Sequence, residues 1–505
     1  MLFGFIYFFN KKIKNTSIFK EVNKKMTNVL KAKNAEFIIL FLILFLGLVV
    51  RLYKIDNPIA DWHSFRQADT ASVTRFFVQD GINLLMPRYH DISRVQSGRF
   101  NPQGYRFVEF PIGNAIHAFF AKKFEFFSLE KWGRLLSVFY GLITGTFVYL
   151  IGKKLYGKKF GFIAMSFFLF LPFNIYFTRV ILPEPLAVMF AVISLWFFLV
   201  YKDNQDFKML FLSSLALSFG ILVKPYVIFY GLPIAFYFYN KYKIGGSLKN
   251  PKLLFCLAII LVPIILWRIW MQQFPEGIPF WKWTFNGDAI RFKPAFWRWI
   301  FGERLGYLIL GVWGVFPFAF GLADLRRKAD VIITSLMGAF LYTAVIATAN
   351  VRHDYYQTFI IPVICLVLAK GVINLWHIKY GTEWVRKLLV VFSLIFAFLV
   401  SASQIKEFYK INHPEIIEAG EAVDRLTPKN AIVIAAYNGD TAFLYQTKRR
   451  GWPVVELPIN ELIDEGASYY TSVNLNDAQT QEFMKEFRIL EKTNTYVVLD
   501  LKQTP

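Results

Sequence analysis

The chain has 505 residues, 55% of them hydrophobic and 19% aromatic, with a formal net charge of +22 and two cysteines. A water-soluble core cannot absorb that much apolar surface, and runs such as 36–53 (EFIILFLILFLGLVVRLY) suit a hydrocarbon layer of roughly 30 Å, which takes about 20 helical residues. The composition therefore excludes a soluble protein. The cysteines, both inside apolar runs, exclude a disulfide or zinc-thiolate framework. The basic charge is spread over short loops, which excludes nucleic acid as a partner and reads as the positive-inside bias of a membrane protein.

Residues 1–35 form a lysine-rich leader (KKIK, KEVNKK, KAK) expected to face anionic membrane lipids from the cytoplasm. Its first residues lack the basic start and small-residue cleavage site of a signal peptide. From that start the chain threads through about eleven spans. Span one, 36–53, leaves the cytoplasm and opens the long external segment 54–131. There Ser64 and Gln67 form a capping-box pattern, Gly81 suits the residue past a helix end, and Phe65, Ala68, Ser72 and Phe76, with Val73 and Phe77, share a face. This predicts an amphipathic helix lying on the outer membrane surface, with Asp61 just before it at headgroup depth.

The later spans fall at 132–152, 160–178, 184–201, 208–223, 226–239, 253–271, 304–322, 331–348, 358–376 and 387–404. Most inward crossings end in Lys/Arg-rich loops such as KKLYGKK, NKYKIGGSLKNPK and HIKYGTEWVRK. The multi-span part thus covers 36–405. Beyond it, 406–505 alternates helical and strand-like stretches: HPEIIEAGEAVDRLTP, AIVIAAY, 441–448, WPVVEL, DAQTQEFMKEF and TYVVLDL. That pattern predicts a small extracytoplasmic α/β domain with a partly parallel sheet.

By this topology, ionisable and aromatic residues gather at the external ends of spans: Asp61, His63, Glu109, Arg179, Glu184, Lys224, Arg352, His353, Asp354, Tyr355 and Tyr356. Ionisable groups at a membrane are costly and usually functional. Carboxylates can act as general bases, and arginine or lysine can receive a phosphate. At headgroup depth that phosphate can ride on an isoprenoid tail. No Gly-rich loop for a nucleotide accompanies them. His63, Glu109 and His353 could hold a divalent metal, though at no diagnostic spacing, so no cofactor is assigned. His117 and the aromatic stretch 280–299 read first as interfacial anchoring, and because aromatic rings also stack on sugars the loop is a secondary acceptor candidate.

In order and on one side, these residues resemble the GT-C-type membrane glycosyltransferases, the group holding the protein O-mannosyltransferases and the lipid A aminoarabinose transferase. Asp61 resembles the acidic residue of that group's first external loop, Glu184 in ILPEPLA its second acidic position, and VEFPIGNA with Glu109 the loop's return to span two. RHDYYQTFIIP resembles its late His/Arg-Tyr-Tyr-then-Pro pattern, and GDTAFLYQTKRRGW a stretch of the C-terminal domain in bacterial relatives. Two places depart: Glu-Phe-Pro stands where the aminoarabinose transferase has Lys-Pro-Pro, and Asp-Trp-His where many relatives pair two acids.

The resemblance implies inverting transfer of a sugar from a polyprenyl-phosphate donor to an acceptor hydroxyl on a protein, lipid or glycan outside the cytoplasm. Asp61 would be the base. Arg352, Lys224 and Arg179 would hold the leaving phosphate. Glu184, Glu109, His63, His353, Tyr355 and Tyr356 would position the acceptor or a cation. The alternative is a polytopic transporter or flippase of lipid-linked envelope intermediates. No internal repeat of the kind common in transporters is visible.

Overall fold

The computed structural model describes residues 35–325, 330–378 and 381–504; the predicted leader lies outside them apart from residue 35. The chain divides into two compact units, Met1–Val50 and Arg51–Pro505. The described part of the first belongs to the apolar helix Ala35–Arg51, about 25 Å long at 1.5 Å per residue.

In the second unit, Leu129–Tyr156, Glu184–Asn204, Pro251–Met271 and Glu383–Tyr409 are long and apolar enough to cross a bilayer, and Phe207–Val223, Asp330–Val345 and Ile361–His377 are shorter apolar helices. Three predicted spans are not single helices. The one over 160–178 is Lys158–Phe170 followed by Pro172–Phe177; a helix readily stops before a proline, whose ring crowds the preceding residue. The one over 226–239 begins as a 3-10 turn, Pro225–Gly231, before Leu232–Leu248. The one over 304–322 is a wide π-type stretch, Trp299–Ile309, then a break, then Val315–Ala323. At the break Gly311 has a φ of 53°, and a Cβ there would lie 1.9 Å from the carbonyl oxygen of Ala397.

Helix Ser64–Asp80 is not the surface helix that its apolar face suggests. Arg66, Gln67, Ala68, Asp69, Ala71, Ser72, Val73, Thr74, Phe76 and Phe77 are all buried, which covers every side of the cylinder. Helices Ile112–Lys123 and Thr441–Thr447 pack on it. The capping box does not form either. His63 is the N-cap, in the left-handed region at φ 57°, and Gln67 turns its amide to Asp61 instead.

The C-terminal part is a five-stranded sheet in the order β2-β1-β3-β5-β4, with β1 Ile432–Ala436, β2 Arg450–Trp452, β3 Tyr469–Ser472, β4 Arg488–Lys492 and β5 Val497–Asp500. β1 runs parallel to β2 and β3, while β5 is antiparallel to β3 and β4. Of WPVVEL only Trp452 is in a strand, because Pro453 follows it and cannot donate to a ladder. One face of the sheet shares a core with the first loop: Ile416, Ala419, Val433, Phe443, Leu444 and Val498 pack with Ile59, Ala68 and Ala71. The other face buries Ile434, Trp452, Tyr470, Phe483 and Leu499 together with Ile92.

Candidate active site

Helices Glu184–Asn204 and Phe207–Val223 are antiparallel neighbours joined by a tight turn with Gln205 at φ 55°. Their similar lengths return the chain to the level where it began. Glu184 starts the first helix and Lys224 caps the second, each at the end where the helix dipole favours its charge. Lys224 Nζ lies 3.0 Å from Glu184 Oε1. The loop is tied to the same place by the Phe110 amide, which donates to the Leu222 carbonyl at 2.9 Å, so that Glu109 accepts from Lys224 at 2.9 Å and also pairs with Arg66. Arg268, near the end of Pro251–Met271, lies within electrostatic reach of Glu109. Burial alone would push the Glu109 carboxyl up; Arg66 and Lys224 outweigh it and hold the group well below the usual carboxylate range.

Gln67 points about 100° away from Arg66 around the helix, and Asp69 about 60° away on the other side, so the three reach different neighbours. Gln67 donates to Asp61 Oδ1 at 2.7 Å, and its carbonyl accepts from the Ile181 amide at 3.3 Å. Asp61 faces Arg134 at 3.2 Å and Arg179 at 3.6 Å, and all three side chains are fully buried. Arg179 also donates to the Lys54 carbonyl and stacks over Tyr409 with its guanidinium 4.8 Å from the ring centre. Asp61 is therefore enclosed between two cations rather than open to a substrate. Asp69 pairs with Arg106 at 2.6 Å and accepts from the Thr441 hydroxyl at 2.7 Å, which fastens the sheet unit to the helix that carries Arg66.

A third group surrounds Asp354. His63 Nε2 is 2.6 Å from Asp354 Oδ1, Trp62 donates to Oδ2 at 3.0 Å, and Arg304 stands 3.6 Å away. Burial would raise the Asp354 carboxyl, but His63, Arg304 and Trp62 hold it below its ordinary value. The His63 ring lies 5.6 Å from His353 and 4.9 Å from Tyr355. Tyr355 stacks on Tyr356 at 4.6 Å, and Tyr356 carries Lys224 over its face at 5.5 Å. The two tyrosines thus stand between the Asp354 group and the Glu109–Lys224–Glu184 group. Burial and the neighbouring His63 draw His353 down to about 4, so its ring is neutral near pH 7. Arg352 is exposed, stacks over Trp283 at 5.5 Å, and has no ion pair among the described residues.

The sequence-derived residues therefore fall into three places. Glu109, Glu184, Lys224, Tyr355 and Tyr356 are together; His63 and His353 adjoin them through Tyr355, with Arg352 exposed beyond His353 over Trp283; Asp61 and Arg179 form a separate enclosed pair. Among the described residues no three His, Cys, Asp or Glu side chains converge on a metal position, so His63, Glu109 and His353 are not a ligand set. Sequence reasoning missed Arg66, Arg134, Arg304, Arg106 and Asp69. Arg66 and Asp69 carried a signal, being charges inside a segment with an apolar pattern; Arg304 carried none.

A helical bundle whose polar clusters meet at the ends of apolar helices, with an α/β unit on the loop, resembles the GT-C-type membrane glycosyltransferases in fold. Residues 110–270 match the family described as dolichyl-phosphate-mannose-protein mannosyltransferase. Among solved structures the chain is similar to ArnT from Cupriavidus metallidurans bound to undecaprenyl phosphate, with a TM-score of 0.63 at 12% identity over 93% of this chain and 98% of that one. The apo form of that ArnT gives 0.65 at 11% identity, over 91% and 97%. The oligosaccharyltransferase AglB from Archaeoglobus fulgidus, solved with an inhibitory peptide and a dolichol-phosphate, gives 0.58 at 9% identity, over 94% of this chain and 75% of that one. No curated protein sequence matches the chain. At these identities the likeness is one of fold.

Proposed function

We infer that this protein is a multi-pass membrane glycosyltransferase that moves a hexose or pentose from a polyprenyl phosphate to an acceptor hydroxyl on a protein, lipid or glycan, with inversion, on the extracytoplasmic side. In this reading about eleven spans put the N-terminus in the cytoplasm and 406–505 outside. The observation that carries it is the joining of Arg66, Glu109, Glu184 and Lys224 where two apolar helices end, in a fold shared with a protein solved with undecaprenyl phosphate. Those four charges offset one another, so a phosphate needs a further cation. Arg352, exposed and without an ion pair among the described residues, receives it first. Lys224 and Arg66 then share their protons' field between the carboxylates and the departing phosphate oxygen. Tyr355 and Tyr356, stacked on each other and buried, form the wall between His63 and Lys224. Asp61 and Arg179 act one layer back, as an ion pair that fixes the loop, rather than as base and phosphate ligand.

Two measurements test this. Native mass spectrometry of the purified protein with undecaprenyl phosphate should show a bound lipid, weakened at least tenfold in Arg352→Gln. Mass spectrometry of the cell envelope with and without the protein should show one missing hexose or pentose mass. No lipid binding and no change in the envelope would refute the reading.

A further inference from the structure

With Asp61 enclosed, the site needs another group to take the acceptor's proton. The carboxylates near the tyrosine pair face cations: Glu109 accepts from Arg66 and Lys224, and Glu184, fully buried, has Lys224 Nζ at 3.0 Å, although neither of its oxygens accepts a hydrogen bond among the described residues. The imidazole of His63 is differently placed. Its Nε2 meets Asp354 at 2.6 Å, and a carboxylate can only accept there, so the proton sits on Nε2 and the lone pair on Nδ1. Nδ1 has no hydrogen-bond partner among the described residues, and the His63 side chain is 9% exposed. Asp354 is itself held by Trp62 at 3.0 Å and by Arg304 at 3.6 Å, and is 2% exposed, which fixes the imidazole it orients. The backbone of His63 is in the left-handed region at φ 57°, an unfavourable place for a non-glycine residue and one that recurs at functional positions.

We propose that His63, oriented by Asp354, is the general base of the transfer. This deepens the glycosyltransferase reading and rests on it. The acceptor O–H gives its proton to His63 Nδ1 as its oxygen forms a bond to the anomeric carbon. The bond from that carbon to the phosphate oxygen breaks, and its electron pair leaves with the polyprenyl phosphate. Asp354 stabilises the imidazolium, which then releases its proton to water. The tyrosine pair separates this base from Lys224, and inversion requires the acceptor oxygen to reach the anomeric carbon from the face opposite the departing phosphate. The charged and titratable groups around His63 are Asp354, which Arg304 also approaches at 3.6 Å, His353 and Tyr355.

The test uses full-length protein in liposomes with undecaprenyl-phosphate hexoses and pentoses, measuring release of undecaprenyl phosphate, together with equilibrium binding of undecaprenyl phosphate itself. His63→Gln and His63→Asn should lose about 10²–10⁴-fold in kcat while binding undecaprenyl phosphate as the wild type does, which also shows that they fold. The acid limb of the wild-type pH–rate profile should vanish in His63→Gln. It should move to lower pH in Asp354→Asn, where the imidazolium loses its anion. A wild-type kcat and acid limb in either His63 variant would overturn the base assignment while leaving the transfer reading intact. A wild-type protein that neither binds undecaprenyl phosphate nor releases it from any sugar donor would overturn both.

Discussion

Replacing Asp61 by asparagine keeps the shape of the side chain and the oxygen that accepts from Gln67, and removes only the charge. What remains is two guanidinium groups, Arg134 and Arg179, both fully buried, with no other anion paired to either among the described residues. Removing one partner from a buried ion pair strands an uncompensated charge and typically costs about 3–5 kcal/mol. Two cations share this one anion, so the upper end of that range applies. Cys256 and Cys365 are buried free thiols, and a thiol-reactive fluorogenic dye will report when the fold opens around them. In detergent, Asp61→Asn should melt well below the wild type, and adding Arg134→Met should restore part of the difference by removing one stranded cation. An unchanged melting temperature in Asp61→Asn, with sugar transfer lost, would refute this reasoning and return Asp61 to the role of base.

Three further outcomes follow from other parts of the fold. Burial pushes Asp91 up to about 6 from 3.8, so its contribution to stability is complete below about 4 and is lost as pH rises to about 6. Asp91→Asn should therefore match the wild type in melts near pH 4 and exceed it above pH 6, by up to about 3 kcal/mol; equal melts at pH 7 would contradict the shift. Thr441→Val removes the hydroxyl that donates to buried Asp69 at 2.7 Å and should cost about 1–3 kcal/mol, with faster amide hydrogen exchange in Thr441–Thr447; unchanged exchange would mean that the contact holds nothing. Gly451→Ala would place a Cβ 1.7 Å from the Val433 carbonyl oxygen, and forcing β2 away from β1 should cost about 3 kcal/mol; a wild-type melt would mean that the strands do not meet there.

How much of this was legible in the sequence depends on which interactions set each feature. The apolar helices were legible because their length and composition answer to the bilayer alone. Glu184 and Lys224 were legible because a charge at the end of an apolar run is costly unless a partner or a ligand offsets it. The burial of Ser64–Asp80 was not legible, since its apolar stripe fits a membrane surface as well as a protein interior, and its second wall comes from Thr441–Thr447, more than 350 residues away in sequence. The enclosure of Asp61 was hidden for the same reason: Arg134 and Arg179 reach it from two other segments, and spacing along the chain carries no trace of that. β3 and β4 were missed because their segments do not alternate cleanly, and pairing with β5 supplies what local propensity lacks. His63 and Asp354 were both noted, but as separate residues; only folding brings them within hydrogen-bonding distance.

The core shared by the sheet and the first loop bears on how the chain could be trimmed or grafted. Ile59, Ala68 and Ala71 are sealed by residues between Ile416 and Val498, made long after them, so the segment bearing Arg66 and His63 has no finished interior until that unit has folded against it. A chain cut at the end of its last apolar helix would reach the membrane with that seam open, and swapping the C-terminal unit between relatives would exchange one wall of the candidate site along with it.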